Sequence, residues 1–313
     1  MKLMNHEKHY NTLNNYYKNK FNCKVFKISL NGNFTCPNRD GRCGIGGCSF
    51  CTPLGSGDFA GSKNDDIKDQ FESQKNMMQK KWKNGKYIVY FQANTNTYGK
   101  LSYIKSLFEK AITLDKDIVM ISIATRPDCI NEEIIDYLFD LNKRMPVQIE
   151  LGLQTIHQET ANYFNRGYEL EVFEEAIRLI RAKGIEVVVH IINGLPFETK
   201  KMMIETVDYL SNMDIQGIKI HMLHLMKNTK MGNDYLNNPF HILSLEEYVD
   251  IVVDQILHLR KDIIIHRLTG DAIKEELIEP KWSLKKFVTT NEIDKKLRKL
   301  NLFQGDYYEA HHN

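Results

Sequence analysis

Four cysteines crowd into one glycine-rich stretch, FTCPNRDGRCGIGGCSFCTPLGSGDFAG from Phe34 to Gly61: Cys36, Cys43, Cys48 and Cys51. Cys23 precedes them and Cys129 stands far away. Disulfide frameworks belong to small secreted domains whose cores are too small, whereas closely spaced cysteines in a reducing compartment hold a metal or do redox chemistry. Two metal centres compete. Four thiolates could close a tetrahedral zinc site, but such sites usually pair two CxxC elements, and here only Cys48 and Cys51 form one. Alternatively, three thiolates hold an iron–sulfur cluster and leave one iron open to a cofactor or substrate. Spacing alone leaves zinc, cluster and coincidence all standing. The glycines let the backbone fold closely around a compact inorganic centre.

The elements that must position this loop are β-rich runs, each leading into a helical pattern. KYIVYFQ (86–92) precedes 101–114, where Leu101, Ile104, Leu107, Phe108 and Ala111 recur at helical spacing. DIVMISIAT (117–125) precedes 131–142, VQIELGLQ (147–154) precedes a short helix and then 170–183, and IEVVVHIING (185–194) precedes 200–213. GIKIHMLHL (217–225) leads to 244–259, and KDIIIHRLTG (261–270) to a final helical region. VFKISL (25–30) reads as the first strand. The runs are apolar at nearly every position, as in parallel strands buried on both faces. Six or seven βα units imply a parallel sheet with helices outside, doubly wound or barrel-like. Asn94-Thr95-Asn96, Arg126-Pro127-Asp128, Gln154-Thr155 and Gly194-Leu195-Pro196 gather at the carboxyl ends of the runs, where such folds bind ligands.

The 313 residues suffice for a large core, and 42 Lys+Arg against 40 Asp+Glu exclude a strongly basic nucleic-acid coat or an acidic tail. Aromatics at 10% with 7 prolines argue against disorder. No apolar run reaches the roughly 18 residues of a membrane span, and the first twenty residues lack the apolar stretch of a signal peptide. A cytoplasmic location with no membrane partner is expected.

Beyond this point the chain resembles the radical S-adenosylmethionine (SAM) superfamily, and within it the branch related to the catalytic subunit of elongator. The resemblance runs along nearly the whole chain: TCPNRDG (35–41), GGCSFC (46–51), GSGDFAG (55–61), FQANTNTY (91–98), ATRPDC (124–129), ELGLQT (150–155), NRG (165–167), HIINGLPFET (190–199), KIHMLHLMKNT (219–229) and HRLTGD (266–271). It implies an α/β fold, a partial (βα)6 TIM-type barrel with the cluster-binding loop at its mouth. Residues 1–24 would be an N-terminal extension, 25–270 the core barrel and 271–313 a basic helical C-terminal extension. It also implies a [4Fe–4S] cluster on Cys36, Cys48 and Cys51, in CX11CX2C spacing, with SAM on the fourth iron. Reductive cleavage of SAM would yield a 5′-deoxyadenosyl radical. Cys43, inside the long first gap, becomes a bystander. The SAM contacts implied are Gln92, Asn94 and Asn96 for the methionine ammonium, Glu150 for the ribose or amino group and Arg166 for the carboxylate. Phe50, Gly194, Leu195 and Pro196 would lie around the adenine.

Blander readings of the same residues are a Glu150 that simply pairs with a neighbouring cation, asparagines that form ordinary turns, and a satisfied core histidine at His190. His221 and His224, three apart, should lie on opposite strand faces. Arg126-Pro127-Asp128 could be a strand-to-helix turn or a substrate-side group. Lys75–Lys86, with five lysines and Trp82, and Lys281–Lys299, with seven Lys/Arg and Trp282, could track an RNA backbone and stack a base, or could be solvated faces. The elongator resemblance favours tRNA as partner and a step in wobble-uridine side-chain modification. A small metabolite or tetrapyrrole is the alternative substrate, and a non-catalytic zinc-bearing RNA-binding protein the alternative class. A flavodoxin- or ferredoxin-type protein would supply the electron.

Overall fold

The structure is a computed structural model that describes residues 8–55, 57–82 and 84–312. In chain order the elements are α1 (Leu13–Phe21), β1 (Val25–Leu30), α2 (Ile67–Gln79), β2 (Lys86–Phe91), α3 (Leu101–Ile112), β3 (Ile118–Thr125), α4 (Glu132–Asn142), β4 (Val147–Gln154), α5 (Gln158–Tyr163), α6 (Leu170–Ala182), β5 (Glu186–Asn193), α7 (Lys200–Ser211), β6 (Gly217–Met222), β7 (Leu225–Met226), α8 (Lys230–Asn237), α9 (Leu245–His258), β8 (Ile264–Arg267), β9 (Leu277–Glu279), α10 (Lys286–Leu300) and α11 (Asp306–His312). The main sheet has the strand order β1-β2-β3-β4-β5-β6-β8, and β7 and β9 form a separate antiparallel pair. The six expected strands and the expected first strand are therefore all present.

The chain divides into two compact units. One comprises 17–152 and 166–188. Its strands β1 to β4 pair in parallel, with Leu30 opposite Phe91, Phe91 opposite Ile123 and Ala124 opposite Glu150. Every residue from Tyr87 to Phe91 is buried, as the continuous apolar run requires. α4 starts where Asn131 accepts the Ile134 N–H, and Glu132 and Glu133 sit in its positive first turn. Its apolar face of Ile134, Ile135, Leu138 and Leu141 is buried. Past β2 the chain is clasped to β3: the Asn96 amide donates to the Phe91 and Ala124 carbonyls at 3.1 and 2.8 Å. Thr97 adds bonds to the Thr125 hydroxyl and the Cys129 carbonyl at 2.6 and 2.8 Å. These contacts fix the carboxyl ends of β2 and β3, where the cysteine loop lies.

The other unit comprises, among the described residues, 8–16, 153–165 and 189–312. Here α9, opened by a Ser244–Glu247 capping box, packs on α7, α10 and α11. Two expectations change in this unit. The run 217–225 is not one strand: β6 stops at Met222, and Leu225–Met226 turns away to pair with β9. His224 is thus off the strand, and strand alternation says nothing about it. Trp282 is not free to stack a base, because its ring lies 5.3 Å from that of Tyr248 and its indole N–H donates to the Leu243 carbonyl at 2.8 Å.

Core and surface aromatics should separate on substitution. Phe108 on α3 is fully buried with its ring 4.8 Å from Phe91, whereas Phe287 is 85% exposed. Phe108→Ala should cost roughly 3–5 kcal/mol, and Phe287→Ala less than about 0.5 kcal/mol. Urea midpoints of the two variants check this.

Candidate active site

The cysteine loop lies within the first unit, and its own backbone shapes it. The Arg39 and Asp40 N–H groups return to the Cys36 carbonyl at 2.8 and 3.2 Å, and Gly47 N–H donates to the Asn38 carbonyl at 2.7 Å. A tight turn from Cys48 to Cys51, with an N–H···O of 2.9 Å, presents both CxxC thiols. Asn94 N–H donates to the Gly55 carbonyl at 2.8 Å, and Thr95 N–H to the Thr35 carbonyl at 3.2 Å, so the loop is seated on the end of β2. Gly55 has φ +59°, and a Cβ there would fall 1.9 Å from Asn94 Oδ1. Gly167, at φ +80°, approaches Asn38 in the same way, with a would-be Cβ 3.1 Å from its Oδ1.

Asn38 is fully buried, and its amide donates to Cys48 Sγ at 3.6 Å. Cys51 and Cys36 both act electrically on Cys48. The Cys48 pKa is pushed well above the ordinary thiol value, first by its hydrogen bond to Cys51, then by burial and by the charges of Cys51 and Cys36, while Arg126 opposes. Ionisation of Cys48 is therefore disfavoured unless a cationic centre takes the thiolate. Soft sulfur donors, the Asn38 N–H directed at one sulfur, and close backbone fit an iron–sulfur centre, which Cys36, Cys48 and Cys51 would hold. Among the described residues no three His, Cys, Asp or Glu side chains are drawn together for a single metal ion, so donor chemistry carries this fit rather than a closed cage.

Cys43 is turned elsewhere. Its exposed thiol lies 3.7 Å from Arg126 Nη2 and 3.8 Å from Asp128 Oδ2. Burial, then Asp128 and Cys36 against Arg126, raise its pKa. Arg126 forks onto Asp128 with bonds of 2.9 and 2.8 Å, and its guanidinium sits 5.1 Å over the Tyr168 ring. Burial works against that charge, but Asp128, Cys48 and Cys36 outweigh it and raise the Arg126 pKa. Arg126-Pro127-Asp128 is therefore more than a turn: it sets a fixed cation beside the cysteines. Cys129 is buried and its thiol pKa is raised by that burial.

The other foreseen contacts divide between the two units. In the first, Glu150 is 1% exposed and pairs with Lys27 of β1 while accepting from Ser122 Oγ at 2.7 Å. The Lys27 ammonium also lies 4.7 Å over the Tyr90 ring. The neighbouring cation is thus a lysine three strands away in the sheet order. Gln92 and Asn94 are half-buried, Asn94 at φ +60°, while Asn96 is wholly buried in the clasp between β2 and β3. Arg166 is 1% exposed; its Nε–H donates to the Tyr168 carbonyl at 3.1 Å and its guanidinium lies 4.5 Å over that ring. Burial lowers its pKa, with Arg126 adding repulsion. Phe50 is half-buried in the CxxC turn. In the second unit Gly194, at φ +83°, ends β5 with its N–H 3.2 Å from Met203 Sδ, and Leu195 and Pro196 are buried. Sequence reasoning missed Asn38, Lys27 and Tyr168. Lys27 had a legible signal, as the single charge inside an apolar strand.

Residues 38–210 match the Radical SAM superfamily, and 215–299 match the Radical_SAM C-terminal domain. The chain belongs to the radical SAM superfamily. It is 46% identical to the protein YtqA of Bacillus subtilis over 97% of this chain and 94% of that one. Over 45% of this chain and 26% of the relative it is 25% identical to the tRNA uridine(34) acetyltransferase of Methanocaldococcus jannaschii. Among solved structures, Elp3 of Methanocaldococcus infernus matches with a TM-score of 0.70 at 17% identity, over 90% of this chain. The chain spans 64% of that Elp3, less than two thirds of its length. The fold is accordingly the partial TIM-type barrel of radical SAM enzymes, with seven strands in the main sheet. As a radical SAM enzyme the chain uses a [4Fe–4S] cluster and SAM. Among the described residues no helix is long and apolar enough to cross a membrane.

The cysteines should separate on metal analysis. After anaerobic reconstitution, Cys36→Ala, Cys48→Ala and Cys51→Ala should each lose the brown colour and most of the about four irons per chain, whereas Cys43→Ser should keep both. Loss of metal in Cys43→Ser would instead indicate a four-thiolate site.

Proposed function

We propose that this radical SAM enzyme acts on tRNA, in a step of wobble-uridine side-chain modification. The observation that carries the reading is the match of 143 residues, 45% of this chain, to a tRNA uridine(34) acetyltransferase. The likeness to Elp3 in fold accompanies it. Acetyl transfer does not come with the resemblance, because the matched stretch is only 26% of that acetyltransferase. Cys36, Cys48 and Cys51 hold the cluster. When bound, cluster and SAM together supply an adenosyl radical that takes a hydrogen atom from the substrate. The chain's own groups bind and orient. Gln92 and Asn94 lie beside the cysteine loop for the methionine end of SAM, Asn96 holds their loop, and Glu150 offers a carboxylate, already oriented by Lys27 and Ser122, to hydroxyl or amino groups. Arg166 lies over Tyr168, and Phe50 sits in the CxxC turn.

RNA contact would draw on exposed cations beside exposed aromatics. Lys80 and Lys81 are exposed next to Trp82, itself 50% exposed with the Lys24 ammonium 2.9 Å from its ring centroid. Lys83 of the same stretch lies outside the described residues. On α10, Arg298 and Lys299 are exposed, whereas Lys286 and Lys296 are taken by Asp271 and Asp250 and Lys295 lies 3.6 Å from Glu292. Three of the seven cations in the second stretch are thus drawn to carboxylates, and we place the RNA face at the Trp82 region. An electron donor of flavodoxin or ferredoxin type completes the reaction.

Two measurements test the reading. Reduced, reconstituted protein should release 5′-deoxyadenosine from SAM, and tRNA from cells lacking the gene should lose or accumulate a modified wobble uridine relative to the parent. An unchanged nucleoside profile alongside normal SAM cleavage would move the substrate to a small molecule. Absence of both iron and SAM cleavage would leave a zinc protein.

A further inference from the structure

Eleven residues separate Cys36 from Cys48, and holding a cluster gives by itself no reason for so long a segment. The segment is folded back on itself. Cys43 N–H donates to the Pro37 carbonyl at 3.0 Å and Gly41 N–H to the Gly44 carbonyl at 3.1 Å, while Asp40 and Ile45 form an antiparallel bridge. Gly47 N–H reaches the Asn38 carbonyl at 2.7 Å. This hairpin-like fold returns the end of the segment to its start, so Asn38 meets Cys48 although they stand ten positions apart in the chain. Arg39, the next residue, anchors the hairpin: its guanidinium donates to the Thr52 and Pro53 carbonyls just past Cys51.

The Asn38 side chain is enclosed on both edges of its amide. It is fully buried, and its Nδ2–H donates to Cys48 Sγ at 3.6 Å. The opposite edge is the oxygen, and two residues without side chains leave room for it. A Cβ on Gly44 would fall 2.0 Å from Asn38 Oδ1, and one on Gly167, after α5, would fall 3.1 Å from it. Turning the amide over would set an oxygen lone pair against a thiolate, whereas the observed orientation gives that sulfur a donor.

A thiolate ligand gains negative charge when the centre it holds takes up an electron. A donor N–H fixed on that sulfur then stabilises the reduced form more than the oxidised one. Burial strengthens the effect, because no water screens the amide dipole. We propose that Asn38 is a redox-tuning residue: its amide N–H on Cys48 raises the reduction potential of the cluster, and the bare backbone of Gly44 keeps that contact in place. One electron from the flavodoxin- or ferredoxin-type donor enters the centre, and no bond is made or broken in that step. The contact acts on the cluster because Cys48 is one of its ligands, the reading on which the proposal rests; the identity of the substrate plays no part.

The test is an EPR-monitored redox titration of the full chain, reconstituted anaerobically and free of SAM. Asn38→Leu removes the donor at similar volume, and Gly44→Ala keeps Asn38 but displaces its amide. Both should retain the wild-type iron content and show a lower midpoint. The reduced-to-oxidised ratio at a fixed potential should fall about tenfold, which is about 59 mV for one electron. Ile45→Ala, on the same hairpin but 85% exposed, should leave the midpoint unchanged. A second measurement does not depend on the variants holding iron. In wild-type protein carrying 15N at asparagine side chains, the reduced cluster should show hyperfine coupling to an amide nitrogen, lost in Asn38→Leu and weakened in Gly44→Ala. Unchanged midpoints at full iron content, an equal shift in Ile45→Ala, or no asparagine coupling in the wild type would overturn the proposal. Full iron content in Cys48→Ala would overturn it as well, by removing the ligand through which Asn38 acts. None of these readouts involves RNA, so they are independent of the tRNA nucleoside profile.

Discussion

The Cys48 thiol resists ionising, and much of the first unit is arranged around that constraint. Cys51, burial and Cys36 all raise its pKa. What opposes it is positive and fixed: Arg126, forked onto Asp128 and laid over Tyr168. The same guanidinium draws the Cys43 thiol to its own side, at 3.7 Å. That thiol, itself raised in pKa, also lies 3.8 Å from Asp128 Oδ2. Asn38, buried behind the loop, directs an N–H at the Cys48 sulfur. Such outer contacts orient a ligand and tune the centre it holds.

The loop can carry this chemistry because the strands beneath it are over-determined. Asn96 spends its amide on two carbonyls, one at the end of β2 and one in β3, and Thr97 adds the Cys129 carbonyl. These bonds replace the ladder where the strands stop. The loop then hangs from them through Gly55 and Thr35. Glycine at 55 is required by a left-handed φ and by the nearness of Asn94. Precision at the cysteines is thus set by backbone contacts on a rigid scaffold, the usual division between positioning frame and reactive loop.

In the first unit two charges beside the strands are satisfied by partners from other elements or turns: Glu150 by Lys27, and Arg126 by Asp128. In the second, His221 and His224 are held below the ordinary histidine value by burial and by Arg267, which is itself paired with Asp271.

Much was legible in the amino-acid order. Continuous apolar runs mark strands buried on both faces, helical spacing marks the outer helices, and four cysteines in a glycine-rich stretch mark a candidate metal loop whose zinc, cluster and coincidental readings spacing leaves open. These are local properties, written in periodicity and side-chain chemistry, and they survive any arrangement of the elements. Tertiary structure decided the rest. Nothing in VFKISL says that Lys27 meets Glu150, because the two are joined through register across β2 and β3. The break after Met222 depends on a pairing with β9 some fifty residues on, and it is this pairing that takes His224 off the strand. Trp282 looked like a stacking surface until Tyr248 and the Leu243 carbonyl claimed it. The role of Cys43 turned on Arg126 and Asp128, more than eighty residues away. Sequence proximity sets which groups are available. Which partner satisfies each of them is chosen by contacts distant in the chain, and the energy of a buried charge or thiol is almost entirely the energy of that partner.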